Sequence, residues 1–315
     1  MIKINKMTLQ QMEYIVAVDD YRYFVKAADS CGVTQSTLSL MVKKLEEELD
    51  ITIFDRDTHP VGVTEVGRKV IDEARQVIYH FKQLTELTRS EKMLTSGALR
   101  IGMISTVAPK LMAGMFKYLR DNYPDIKMEA QEMRSASILD CLKKTEIDLG
   151  IITGPVNDID FLEVPLYHER FFAYVATEEV SERMIKCIKR SELRNYPMWV
   201  MRGGVRLLEK NTLASDMRYT YEEMYEGGRV GILIQIANEN GGVTIVPETH
   251  VEFLSEEMKS HLCPIVDPVP QRVISLVIRK DYIHEKMMNI VIKAVKSRIP
   301  AELYEQNIKT DYIKL

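Results

Sequence analysis

The 315-residue sequence predicts an α+β protein with a small helical N-terminal part, a long helix after it and an α/β C-terminal part. Two observations predict this fold class. Apolar residues recur at helical spacing through about the first ninety residues, and from Ala98 onward strand-like runs alternate with amphipathic helices. Such alternation is typical of a mainly parallel sheet. We expect domains at 1–63, 64–92 and 93–315.

The N-terminal part begins with three predicted helices. The first spans about Leu9 to Ala17, the second spans Phe24 to Cys31, and Gly32 lies in the turn that follows. Thr34 suits the N-cap of a third helix ending at Leu49, because its hydroxyl can accept from a backbone N–H of the first turn. The apolar face of this helix comprises Leu38, Met41, Val42, Leu45 and Leu49. A short helix, a turn with glycine and a capped helix predict a helix-turn-helix unit.

The other face of the third helix carries short polar side chains. After Thr34 these are Gln35, Ser36, Thr37 and Ser39, and Lys43 follows one turn later. Side chains of this kind suit base edges and phosphates in a major groove. The alternative is an ordinary amphipathic helix with a polar outer face.

Two short strand-like runs follow and predict a wing. Ile51 to Phe54 and Val61 to Val63 flank a polar turn that carries Arg56 and His59. Arg56 could bind a phosphate or enter a minor groove. Its alternative role is a surface ion pair with Asp55 or Asp57, and the alternative for His59 is a solvated turn residue.

The order of these features resembles the LysR-type transcriptional regulators. The resemblance rests on the paired alanines Ala27–Ala28, the glycine turn, TQSTLS, KKLEEEL, the F-x-R wing and the T-x-x-G start of the next helix. It covers about the first ninety residues and is nearest the OxyR-like, peroxide-sensing branch. The resemblance implies a winged helix-turn-helix regulator that binds double-stranded DNA as a homodimer or homotetramer. It also implies a small-molecule effector, and contact with RNA polymerase if the protein is an activator.

The next predicted helix runs from Thr64 to about Ser90 and carries a heptad-like apolar seam. The seam comprises Val66, Val70, Ala74, Val77, Phe81 and Leu84, and Ile71 and Ile78 widen it. It could pack on its own domain or on a second copy of the chain, and the family resemblance favours the second copy. Two paired copies would present two recognition helices to successive major grooves, so we expect an imperfect inverted repeat as the DNA site.

The C-terminal part resembles the family's effector domain through IG-x-I-S at the first strand, D-L-G-I at Asp148 to Ile151 and GG-V-T-I-V-P at Gly241 to Pro247. The resemblance implies two α/β lobes crossed by two strands, as in periplasmic solute-binding proteins. Ligands of open α/β sheets bind beyond the carboxyl ends of strands. Ser105 and Thr106 lie at such an end and start a helix, whose free N–H groups favour an anion. Two further groups follow later strands and could close the cleft: Arg134 with Ser135, and Arg202, Gly203, Gly204 and Val205. The alternative for Ser105 and Thr106 is a plain helix cap, and the alternative for Arg134 and Arg202 is ordinary surface charge.

Composition narrows the remaining functions. The formal net charge of −4 shows no overall basic character, and no run reaches the roughly 18 apolar residues of a membrane helix. The N-terminus lacks the apolar core of a signal peptide, so we expect a cytoplasmic protein without a membrane partner. No metal or other cofactor is expected, because the histidines are scattered and the cysteines form no cluster.

The four cysteines, Cys31, Cys141, Cys187 and Cys263, are widely spaced. The peroxide-sensing branch has a reactive cysteine after the strand equivalent to Met198–Met201, with a resolving cysteine one short loop later. Residues 202–228 contain no cysteine, so that switch is absent here. A redox-responsive regulator using another thiol pair stays as the alternative. An enzyme fused to a DNA-binding domain is a remote one, because G-x-S-x-G, P-loop and HExxH motifs are missing.

Overall fold

The computed structural model describes residues 7–87, 97–176, 187–199, 229–267, 269–282 and 284–304. The chain forms two compact units, of which the first takes in residues 1–94 and the second nearly all of the remainder. The expected boundary between residues 92 and 93 lies outside the described ranges. Every helix in these ranges is too short or too polar to cross a membrane.

The N-terminal unit is a helix-turn-helix with a two-stranded wing. Its elements are α1 (Leu9–Tyr21), α2 (Phe24–Ser30), α3 (Gln35–Leu49), β1 (Phe54–Asp55), β2 (Gly62–Val63) and α4 (Glu65–Leu87). Ala27 and Ala28 are almost fully buried, and their small size lets α2 pack closely within the core. Leu38, Val42 and Leu45 form the buried face of α3, which confirms the predicted apolar stripe at its centre.

The wing differs from the prediction in one respect. Its first strand starts at Phe54 and not at Ile51, and it pairs antiparallel with β2 through Phe54 and Val63. The reason is local, because the backbone N–H groups of Ile53 and Phe54 donate to the Glu46 carboxylate, at 2.8 and 3.1 Å. Glu46 therefore binds the backbone donors at the start of the wing.

Helix α4 has two apolar faces. Thr64 accepts from the backbone N–H of Gly67 at the helix start, and a Cβ on Gly67 would lie 2.2 Å from the Ile53 carbonyl oxygen, so only glycine fits there. Ile71, Ala74 and Ile78 are buried in the core of the unit. Val70 is half-buried against the same core, whereas the other four members of the seam are 42–62% exposed: Val66, Val77, Phe81 and Leu84. The predicted seam is therefore divided between its own domain and a separate exposed stripe.

The described residues of the C-terminal unit form a mixed sheet and its covering helices. Its strands are β3 (Gly97–Met103), β4 (Ile126–Glu132), β5 (Leu149–Thr153), β6 (Phe161–Val175), β7 (Ile188–Lys189), β8 (Met198–Trp199), β9 (Val243–Pro247), β10 (Leu262–Val266) and β11 (Gln271–Arg279). Its α-helices are α5 (Ala108–Asn122), α6 (Ser135–Lys143), α7 (Val230–Asn240), α8 (Glu256–Ser260) and α9 (Glu285–Lys296). Short 3₁₀ helices lie at Arg190–Asn195, Glu248–Phe253 and Ala301–Leu303.

The strands run in the order β4-β3-β5-β11-β6-β10-β7, with β9 also paired to β6 and β8 paired to β9. The expectation of a mainly parallel sheet is wrong at the centre. The β3–β4 and β3–β5 pairs are parallel, whereas β11 runs antiparallel to both β5 and β6. The two antiparallel strands are long because they cross between lobes.

Two lobes share the long strand β6. Val164, Leu166 and Tyr167 contribute to the core of the first lobe, with β3, β5, α5 and α9. Phe171, Ala173 and Val175 contribute to a core of the second lobe, with β7 and β10. The predicted two-lobed α/β architecture is confirmed, and residues 167–171 of β6 lie where one lobe gives way to the other.

Candidate nucleic-acid interface and effector cleft

The first turn of α3 is held by its own hydroxyl groups. Thr34 has extended backbone angles, and its Oγ1 accepts from the Thr37 backbone N–H at 3.2 Å, which is the expected cap. The same oxygen lies 2.9 Å from Ser36 Oγ and 2.8 Å from Thr37 Oγ1. Gln35, Ser36 and Thr37 are exposed. This turn therefore presents an ordered group of donors and acceptors to the outside.

The exposed face continues along the helix through Leu40 and Lys43. Leu40 is 66% exposed, although it is a large apolar residue. It lies four residues after Ser36 and three before Lys43, so the three side chains share one face. Lys43 forms an exposed ion pair with Glu47 at 3.7 Å, which holds it only weakly. Leu40 was not identified from the sequence, although an apolar residue outside the buried stripe could have indicated it.

The wing arginine is held against α3. Arg56 Nη2 donates to Glu46 Oε2 at 2.9 Å, and Arg56 Nη1 lies 3.5 Å from Ser39 Oγ. The guanidinium also covers the Phe24 ring, 5.3 Å from its centroid. Its carboxylate partner is thus Glu46, where the sequence suggested Asp55 or Asp57. The role of Glu46 in holding the wing was not predicted from the sequence. His59 is exposed in the wing turn.

A buried carboxylate joins α1 to α4. The Asp19 side chain is only 5% exposed, and Arg68 binds it with two bonds of 2.8 and 2.9 Å. Arg75 adds a bond of 3.0 Å, and Arg22 lies 3.1 Å away. Burial by itself would raise the pKa of Asp19, but the hydrogen bonds from Arg68 and Arg75 outweigh it and lower that pKa. These bonds fix the direction in which α4 leaves the DNA-binding unit.

In the C-terminal unit, the prediction that Ser105 and Thr106 start a helix is wrong. Helix α5 begins only at Ala108, and its N-cap, Val107, makes no side-chain cap bond. Thr106 is buried, and its hydroxyl accepts from Arg272 Nη1 at 2.9 Å. Thr106 is therefore committed to a buried polar cluster, while Ser105 lies half-buried beside it.

The centre of this cluster is an ion pair between the crossing strands. Glu169 of β6 and Arg272 of β11 are directly opposite in the strand register. Arg272 Nε donates to Glu169 Oε2 at 2.6 Å, and the two side chains are 4% and 0% exposed. Glu169 Oε1 accepts from the backbone N–H of Thr249 at 3.4 Å and from its hydroxyl. Neither charged residue was singled out from the sequence.

The cluster connects the two lobes. In the first lobe, Arg272 donates to Thr106, which follows β3, and lies 3.5 Å from Thr153 Oγ1 at the end of β5. Through Glu169 the cluster reaches Thr249, which follows β9 of the second lobe. A change in the spacing of the lobes would therefore have to alter these bonds.

Two buried polar atoms beside the pair lack partners of good geometry. These are Tyr167 Oη and His250 Nδ1. Burial, and secondarily the charge of Glu169, raise the pKa of Tyr167 far above its ordinary value, so the phenol stays protonated. Burial lowers the pKa of His250 despite the nearby carboxylates. Buried polar atoms are nearly always satisfied by protein, water or ligand. Because the Thr249 side chain also interacts with the Tyr167 phenol, His250 Nδ1 is the better candidate to bind a polar group.

The remaining predicted residues are less closely assembled. Arg134 is exposed directly before α6, and Ser135 is the first residue of that helix. Arg202, Gly203, Gly204 and Val205 lie outside the described residues. Within the described ranges, no three His, Cys, Asp or Glu side chains come together as a metal site.

Comparison with known proteins covers both units. Residues 9–68 match the family described as "Bacterial regulatory helix-turn-helix protein, lysR family", and residues 93–299 match "LysR substrate binding domain". The hydrogen peroxide-inducible genes activator of Haemophilus influenzae is 29% identical over 277 residues, covering 87% of this chain and 91% of the relative. The DNA-binding transcriptional dual regulator OxyR of Escherichia coli is 26% identical over 294 residues, covering 93% and 96%.

Solved structures agree with the fold. A full-length OxyR variant from Pseudomonas aeruginosa superposes with a TM-score of 0.81 at 24% identity, covering 95% of this chain and 98% of that one. OxyR from Porphyromonas gingivalis gives 0.58 at 25% identity, covering 67% and 96%. The two family matches together take in the DNA-binding unit and most of the C-terminal unit, and the chain therefore belongs to the LysR family of DNA-binding transcription regulators.

Proposed function

We propose that the protein binds an imperfect inverted repeat in double-stranded DNA as a homodimer or homotetramer and responds to a small effector, most simply an anion. The observation that carries this proposal is the ordered, exposed first turn of α3, with Gln35, Ser36 and Thr37 at its surface. Gln and hydroxyl side chains discriminate base edges by hydrogen bonding, whereas Lys43 and Arg56 suit phosphates. Thr34, Ser39 and His59 complete the proposed DNA surface.

The exposed apolar stripe of α4 supports pairing of two chains. Val66, Val77, Phe81 and Leu84 are too exposed to stabilise the DNA-binding unit, and their burial against a second α4 would remove apolar area from water. Together with pairing through this helix, we propose that residues 1–63 bind DNA, residues 64–92 form the dimer contact and residues 93–315 bind the effector. A dimer would carry its two α3 helices on one side, as an inverted repeat requires.

The polar cluster between the lobes supports an effector site. Because Glu169 already balances the charge of Arg272, we propose that Arg134 and Arg202 supply the positive charge for an anionic effector. Ser105, Thr106, Ser135 and residues 203–205 are the proposed hydrogen-bonding groups. Effector binding would bias the lobe arrangement and so the geometry of the paired DNA-binding units.

The curated relatives favour regulation over catalysis, since their printed names are those of regulators. We infer that the protein has no enzymatic activity, resides in the cytoplasm and contacts RNA polymerase if it activates transcription. A thiol-based response is the second candidate, because several relatives are named hydrogen peroxide-inducible activators. Such a response would use cysteines elsewhere in the chain, because residues 202–228 contain none.

The experiment compares Gln35→Ala and Lys43→Ala on a DNA site selected in vitro and on random DNA. We expect Gln35→Ala to weaken binding to the selected site by about 1–3 kcal/mol and to leave binding to random DNA nearly unchanged. Lys43→Ala should weaken both and flatten the dependence of affinity on salt. Lys117→Ala is the matched control, since Lys117 also forms an exposed i,i+4 ion pair but lies on α5. Equal losses for Gln35→Ala on both DNAs would exclude α3 from base recognition.

A further inference from the structure

Two cysteines that are 76 positions apart in sequence lie at the same edge of the second lobe. Strands β7 and β10 run parallel, with Ile188 opposite Ile265. Cys187 directly precedes β7, and Cys263 lies two residues before Ile265 in β10. With strands about 4.8 Å apart and a rise of about 3.3 Å per residue, this register places their Cα atoms about 6 Å apart. Disulfides span Cα separations of about 4.4–6.8 Å.

The two thiols differ in their access to solvent. Cys187 is exposed, whereas Cys263 is 1% exposed in a core with Ile188 and Ile265. Burial raises the pKa of the Cys263 thiol, and the charge of the Cys187 thiolate adds to that rise. An exposed thiol can meet an oxidant, and a buried neighbour is kept reduced until the first has reacted.

We propose that Cys187 and Cys263 form a reversible disulfide in response to hydroperoxides, at a modification site separate from the effector cleft. The Cys187 thiolate attacks one peroxide oxygen, the O–O bond breaks, and the other oxygen leaves as water or an alcohol after taking a proton. Cys187 is thereby oxidised to a sulfenic acid and the peroxide is reduced. The Cys263 sulfur then attacks the Cys187 sulfur, the S–O bond breaks, and water leaves with the Cys263 proton.

The geometry gives this bond a structural consequence. Side chains alternate between faces along a strand, so Cys187, one residue before the buried Ile188, starts on the face away from Cys263. Cys187 lies outside the paired residues of β7, and β7 is only two residues long at the end of the strand order. Bond formation therefore turns the entry of β7 toward β10 and displaces this short edge strand.

The test uses the reduced full-length protein, treated with stoichiometric hydrogen peroxide and analysed by intact mass and non-reducing peptide mapping. We expect the loss of two hydrogen atoms per chain, a linked pair of peptides that contain Cys187 and Cys263, and reversal by dithiothreitol. Cys187→Ser should abolish the mass loss. Cys263→Ala, an apolar replacement for a buried position, should leave Cys187 as a sulfenic acid that dimedone captures.

Cys31 and Cys141, the two cysteines outside the proposed pair, provide the control. The double variant Cys31→Ser with Cys141→Ser should react as the unmodified protein does. The proposal is overturned if Cys187 is oxidised only to a sulfenic, sulfinic or sulfonic acid, if the disulfide joins two chains, or if the Cys187→Ser variant still loses two hydrogen atoms. Because the readout is covalent, its failure is independent of whether the protein binds its DNA site or effector as proposed.

Discussion

Replacement of Glu169 tests whether the ion pair between the crossing strands holds the C-terminal unit together. Glu169→Leu leaves Arg272 buried, at 4% side-chain exposure, without its carboxylate. Breaking a buried pair from one side costs about 3–5 kcal/mol, because an uncompensated charge remains in the interior. Arg272→Met should cost a similar amount, since Glu169 keeps only the bonds from Thr249. Independent effects would make the double variant lose about 6–10 kcal/mol.

We expect the double variant to lose at most about 2 kcal/mol, because apolar residues of similar volume can replace a buried pair at little cost. Trp199 is the single tryptophan and lies in the second lobe, so its fluorescence during urea unfolding follows this unit within the full-length chain. Arg170→Ala is the matched control on the same strand. It breaks an exposed pair with Glu248, at 57% side-chain exposure for Arg170, and should cost under about 1 kcal/mol. Additive losses in the double variant would refute the argument that the two charges act as a pair.

Two further predictions concern the DNA-binding unit. Because the pKa of Asp19 is lower in the folded than in the unfolded chain, its contribution to stability is present above its ordinary pKa of 3.8 and is lost as the pH falls through the folded value. Asp19→Asn should remove this part of the acid dependence, measured by hydrogen exchange of α1 and α4 as a function of pH, and an unchanged profile would contradict the assignment. If Leu40 contacts a thymine methyl group, Leu40→Ala and replacement of that thymine by uracil should each weaken binding to the selected site by about 1 kcal/mol. The two changes together should then cost no more than either alone, and additive losses would exclude the contact.

The parts of the fold that depend on local pattern were predictable. Thr34 caps α3 as expected, and the apolar spacing of Leu38, Val42 and Leu45 specifies the face that is buried. The full length of strand β6, from Phe161 to Val175, was not predictable in this way. Its first part includes Glu163 and Glu169, charged residues that a strand pattern does not favour.

Both carboxylates are satisfied by partners that local pattern cannot reveal. Glu163 accepts from the Ser275 hydroxyl at 2.6 Å, and Glu169 accepts from Arg272. These partners lie more than 100 positions away in sequence. Thr106 was misassigned for the same reason, because its hydroxyl bonds to Arg272 from a distant strand. The candidate cleft therefore depends on long-range polar pairs, whereas the DNA surface depends on a single helix and its cap.

The partners of Arg56 determine how the wing can use its charge on DNA. Glu46 engages Nη2 of Arg56 and also accepts the backbone N–H groups of Ile53 and Phe54, so the same carboxylate orders the strand and the guanidinium. A guanidinium has five N–H donors, and the pair with Glu46 leaves others for a phosphate. Glu46 therefore orients Arg56 while cancelling much of its charge at long range. Since Lys43 is likewise paired with Glu47, general attraction to the DNA backbone should be weak. Tight binding then requires the short-range contacts of Gln35 and its neighbours, which makes affinity depend on sequence more than on charge.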